Sequence, residues 1–188
     1  MYLRFGAMIA VSVLVMYALT YTNLFALDHA RWSLERAYMA VVMGSGMAIV
    51  MLAFMWGSMY RDTKVNLTIL VGAVVVGAAA FTLSQTQSMV GDQSYMKGMI
   101  PHHSIAILTS ERAGIEDLRV RDLADGISQT QVKEIKEMDW LLDDIARNGK
   151  ATTPQEAAAR PVPDFTGDVG PYLRSHRFWL PLLGIGRR

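Results

Sequence analysis

The chain has 188 residues, of which 52% are hydrophobic, with a formal net charge of +1 and no cysteine. Its scattered basic residues and near-neutral balance exclude a nucleic-acid patch. The missing cysteine excludes disulfides, zinc ribbons and thiolate chemistry.

Three runs carry no charge: residues 5–27, 37–60 and 65–91. Each exceeds the roughly 20 residues that cross a bilayer as a helix. They predict a membrane domain over residues 1–91, with the lipid bilayer as a partner. The first run is longer than the roughly 7–15 residues of a signal-peptide core. It also closes on the bulky Asn23, Leu24, Phe25 and Leu27, so it reads as a retained span. The loops 28–36 and 61–64 are short, and the first two spans form an antiparallel helical hairpin. His29, in the first of these loops, is expected to be a solvated loop residue. Arg4, Arg61 and Lys64 lie on one side of the membrane, Arg31 and Arg36 on the other. The Lys/Arg bias favours a cytoplasmic N-terminus and an extracytoplasmic C-terminal region.

The second span holds Met39, Met43, Met47, Met51, Met55 and Met59, one every four residues. Such a ladder precesses by about 200° round a helix. It cannot face one partner throughout, and adaptable apolar filling between helices is the expected role. Gly44 and Gly46 predict close helix contact there.

Residues 92–149 read as an αα-hairpin. Asp92 offers an N-cap, and the helical pattern runs over 93–113, with Gly114 as a C-cap. A second helix is predicted over 117–147, stopped by Asn148 and Gly149. Its apolar stripe comprises Val120, Leu123, Ala124, Ile127, Ile135, Met138, Leu141, Leu142 and Ile145, at three-to-four spacing. Residues 150–188 form an irregular tail broken by Pro154, Pro161, Pro163 and Pro171. The tail ends in an apolar cluster at 178–183 suited either to a membrane surface or to packing on the hairpin.

Chemistry concentrates at residues 95–103. Met96, Met99, His102 and His103 place two thioethers and two imidazoles within eight residues. Soft sulfur and borderline nitrogen donors suit Cu(I) better than any hard cation. With Met96 at 0° on a helical wheel, Met99 falls at about 300°, His103 at about 340° and His102 at about 240°. Met96, Met99 and His103 thus share a face. Pro101 either kinks this helix or begins a new one. On the second helix, Gln131 and Glu134 interrupt the apolar stripe beside Met138. Burying an unpaired carboxylate is costly, so both are expected to meet the imidazoles across the hairpin, orienting them as outer-sphere hydrogen-bond acceptors.

Asp92, the Met96/Met99/Pro101/His102/His103 run, and Gln131, Glu134, Ile135 and Met138 together resemble the family called domain of unknown function 305. The resemblance covers residues 92–146. It implies a ferritin-like helical hairpin that doubles into a four-helix bundle, associated with extracytoplasmic copper binding and copper tolerance. Many relatives carry methionine six residues after the second histidine, where this chain has Thr109.

The expectation is therefore an all-α protein: three transmembrane helices and a ferritin-like αα-hairpin that pairs into a four-helix bundle as a homo-oligomer. Its metal ligands are Met96, Met99, His102, His103 and Met138, with Asp92, Gln131 and Glu134 behind them. The ion is copper, as Cu(I), and the setting is a bacterial inner membrane with the hairpin on the periplasmic side. The competing reading is an assembly protein whose hairpin oligomerises without metal. No nucleophile–base pair and no Glu-x-x-His ligand set is present, so no enzyme is expected.

Overall fold

The computed structural model describes residues 1–170, and all its regular elements there are helical: α1 (Tyr2–Leu19), a 3-10 turn (Leu27–His29), α2 (Leu34–Met55), α3 (Thr63–Thr86), α4 (Asp92–Arg112), α5 (Leu118–Asn148) and α6 (Pro154–Ala159). Pro171, His176, the 178–183 cluster and Arg187–Arg188 lie outside the described residues. The chain divides into two units, one of residues 1–22 and 32–94, the other of residues 23–31 and 95–188.

In the first unit, α1, α2 and α3 are each long and apolar enough to cross a membrane. The first helix stops eight residues short of the end of its charge-free run, at Leu19. Thr20 and Thr22 end it by turning their hydroxyls back onto the carbonyls of Tyr17 and Leu19. The next two helices start on side-chain caps. Ser33 accepts from the Arg36 amide, and Asp62 accepts from the amides of Lys64 and Val65. Helix α2 packs against both α1 and α3. Glycine allows this at Gly44, where a Cβ would collide with the Val13 side chain, and at Gly77, where it would lie 3.0 Å from Ser45. Gly46, expected to do the same, faces open space.

The methionine ladder winds as its period requires. Met39 and Met43 are exposed, whereas Met51 and Met55 pack against the core of Phe5, Ala48, Leu52 and Tyr60. Met59 falls beyond the end of α2, so the helical ladder has five rungs. At one end of this unit the Asn66 side chain is fully buried, accepting from the Tyr2 hydroxyl and donating to the Tyr60 carbonyl. At the other end Glu35 accepts from Ser84 and Gln87, the latter in the left-handed conformation that closes α3.

In the second unit, α4 and α5 form an antiparallel pair. Near their link the Ser128 hydroxyl donates to Glu111 at 2.7 Å, and Arg121 donates to the Ser110 carbonyl at 2.8 Å. The core comprises Phe25, Met96, Ile100, Ile107, Val132, Ile135 and Met138. Ser104, Ser110 and Ser128 are buried with it. Burial on α5 follows Ala124, Ser128, Val132, Ile135 and Met138. Val120, Leu123 and Ile127, expected in that stripe, are exposed. Gly114 has no positive φ, whereas Gly149, which closes α5, has a φ of 76° that favours glycine.

Beyond α5 the tail is more ordered than its prolines suggested. Thr153 and Glu156 form a reciprocal capping box with Pro154 in the first turn, which starts α6. The chain then runs back along α5. Arg160 pairs with Asp144 at 2.6 Å, Asp164 with Lys133 at 3.1 Å, and the Thr166 carbonyl accepts from Lys136 at 2.7 Å. At Gly167 a Cβ would overlap the Gln129 carbonyl, so only glycine fits against the helix there.

Candidate functional site

The helix carrying the methionines and histidines is continuous through Pro101, which is itself buried. Proline here leaves the Lys97 carbonyl without its helical donor, yet no second helix starts at that point. Met96 and Met138, on α4 and α5, are both buried in the same apolar cluster, and Met99 packs against it. The second unit thus gathers three thioethers from two helices.

His103 is the half-buried histidine of the pair, its side chain 12% exposed. Its Nδ1 lies 3.3 Å from a carboxylate oxygen of Glu134 on α5, near enough for an ion pair but not aligned as a hydrogen bond. The distance carries more weight than the angle, since a small ring rotation would align the two. Burial is the main influence on the imidazole and pushes its pKa below the usual value. The Glu134 charge opposes that shift, and the neighbouring His102 adds to it. His103 is therefore neutral at pH 7, the form in which imidazole donates a lone pair.

His102 is exposed, with its ring 6.1 Å from that of His103. It shares a face of α4 with Thr109, seven residues on, which is also exposed and bonds its hydroxyl back to the carbonyls of Ile105 and Ala106. Gln131 is half-buried and does not join either histidine. Asp92 is the first residue of α4 rather than its cap. Of the two polar residues in the α5 stripe, Glu134 thus reaches a histidine, and Gln131 does not.

Among the described residues, no group of three or more His, Asp or Glu side chains gathers as a metal site. What the hairpin offers is sulfur, with neutral imidazole beside it. The buried Nδ1 of His103, lacking an aligned partner, fits the usual arrangement in which one ring nitrogen faces a carboxylate and the other is left for a ligand.

Next to this group stands a residue that the loop composition concealed. His29 is buried, 2% exposed, with Nδ1 2.9 Å from the Ser104 hydroxyl. The Phe25 amide donates to the same oxygen at 2.8 Å. Arg31 pairs with Asp139 of α5 at 3.0 Å, and the Arg112 guanidinium sits 6.0 Å from the Phe25 ring centre. The expectation of a solvated His29 is overturned because residues 23–31 close the open side of a two-helix core. The available signal was apolar: Phe25 and Ala26 lie in a charge-free stretch too far along to be part of α1.

Three membrane-length helices and a methionine- and histidine-bearing helical pair define a membrane-type, all-α hairpin protein. The family model described as Domain of unknown function (DUF305) matches residues 92–167. A protein of Acanthamoeba polyphaga mimivirus, described as "Uncharacterized protein L153", is 35% identical over 116 residues, 61% of this chain and 74% of the relative. The chain belongs to the DUF305 family. No solved structure matches it. The family match ends at Gly167, the residue that seats the returning tail on α5.

Proposed function

We propose that this protein is a membrane-anchored, extracytoplasmic copper-binding protein of copper homeostasis or tolerance. It holds Cu(I) through Met96, Met99, Met138 and His103, with His102 as a further donor. The observation that carries the reading is that Met96, Met99 and Met138 belong to one cluster of the hairpin, with His103, half-buried and kept neutral by burial, on the same helix as two of them. A thioether has no proton to lose, and such a donor set prefers Cu(I) to Zn(II) or any hard cation. Glu134 orients His103, and the role is binding rather than catalysis.

His102 faces away from the core of its own hairpin. Leu118, Val120, Leu123 and Ile127 are likewise exposed along α5. Pairing with a second copy into a four-helix bundle would cover the face of Val120, Leu123 and Ile127. The same strip supports the second reading, an assembly protein whose hairpin oligomerises without metal. Titration of the full-length protein with Cu(I) against a chromophoric chelator separates the two. The copper reading expects a defined stoichiometry that is lost on replacing His102 and His103 with alanine, with the oligomer intact. Unchanged stoichiometry in that variant refutes the ligand assignment, and oligomers without copper uptake support the assembly reading.

A further inference from the structure

The membrane unit holds a cavity that the metal-binding reading does not use. It is a groove of about 440 Å³ between α1 and α3, floored by α2. Its walls are apolar and small-sided, including Gly6, Ile9, Ala10, Val13, Gly72 and Ala73. A Cβ built at Gly6 or at Gly72 meets nothing within 4 Å, so both glycines open onto empty space. From Tyr2 to Val13 a helix rises about 16 Å, about half of a hydrocarbon core some 30 Å thick. The groove is therefore one leaflet deep.

Its polar end carries three cations and one acid. Tyr2, which lines the groove, bonds through its hydroxyl to Asn66 and to the Asp62 amide, in the turn between α2 and α3. Arg4, Arg61 and Lys64 are exposed at this end, and among the described residues none of them pairs with a carboxylate. The nearby acid, Asp62, is occupied in capping α3.

We propose that this groove seats one anionic phospholipid, its acyl chain lying between α1 and α3 and its phosphate held by the Arg4, Arg61 and Lys64 end. Charge complementarity selects this occupant: a chain one leaflet long with a negative head matches an apolar slot one leaflet deep below unpaired cations. Each Lys or Arg near an anionic headgroup strengthens the attraction severalfold, so a preference of about tenfold over a zwitterionic lipid is expected.

Native mass spectrometry of the full-length protein in detergent, titrated with phosphatidylglycerol or phosphatidylcholine, tests this. The wild type should retain one phosphatidylglycerol at about a tenth of the concentration needed for phosphatidylcholine. Gly6→Leu with Gly72→Leu fills the slot from positions where a Cβ meets nothing within 4 Å and should abolish retention, with helicity by circular dichroism unchanged. Arg4→Gln, Arg61→Gln and Lys64→Gln together should keep a bound lipid but lose the headgroup preference. Equal retention of the two lipids by the wild type, or undiminished retention by the glycine variant, overturns the proposal. So does a glycine variant that changes only from dimer to monomer, because the groove then holds a helix of a second copy.

Discussion

Replacing Ser104 with alanine is expected to free residues 23–31 from the hairpin core. The Ser104 hydroxyl is fully buried and accepts from the Phe25 amide at 2.8 Å while meeting His29 Nδ1 at 2.9 Å. Each such bond contributes about 0.5–1.5 kcal/mol net, and more where a buried group is stranded. The pair together stabilises the segment by about 2 kcal/mol, equal to about a thirtyfold change in its opening equilibrium. Hydrogen exchange with mass spectrometry on the full-length protein reads this directly, through a peptide covering residues 23–31. That peptide should exchange about thirtyfold faster, while peptides from α3 keep their protection. Exchange of 23–31 unchanged within a factor of two would refute the assignment of Ser104 as its anchor.

Other consequences follow from burial and charge. Ile135 is fully buried between the hairpin helices, so Ile135→Ala should cost about 2–5 kcal/mol, measured as a fall in the hairpin's thermal midpoint. Gly44→Ala should lower the stability of the membrane unit because its Cβ meets Val13, while Gly46→Ala, in open space, should not; thermal melts of the two side by side decide. For pH, burial holds the His103 pKa below its unfolded value. The unfolded chain then binds the proton more readily, and stability rises with pH through that window. The metal-free protein should therefore lose stability as pH falls below about 6.5, and His103→Gln should flatten that slope; equal slopes would contradict it. Thr109→Cys gives an exposed label site on the hairpin in a cysteine-free chain. A membrane-impermeant thiol reagent should reach it in intact spheroplasts if the hairpin is extracytoplasmic, and only after lysis if it is not.

The helices were legible because their signals are local. Charge-free runs and the Asn148–Gly149 stop lie in consecutive residues, and α5 starts and ends within a residue of the predicted 117–147. The grouping of Met96, Met99 and His103 on one face followed from helical period alone. What escaped depended on contacts distant in sequence. Burial of His29 requires Ser104, 75 residues away, and nothing in a loop of mixed composition announces that partner. The exposure of Leu123 and Ile127 has the same origin: the period marks an apolar face but does not say that Ala124 and Ser128 are the residues turned inward. The tail is a different case. Thr153-Pro154-x-Glu156 was a readable helix start, overshadowed by counting prolines as breakers.

In the proposed function, sulfur and imidazole of the hairpin bind one soft ion together. X-ray absorption at the copper edge, on the full-length protein loaded with Cu(I), tests it most directly. A first coordination shell of both sulfur and nitrogen is expected. Sulfur should be lost on replacing Met96, Met99 and Met138 with leucine, and nitrogen lost on replacing His102 and His103 with alanine. A shell of nitrogen and oxygen only, or one unaltered by either set of substitutions, would contradict it.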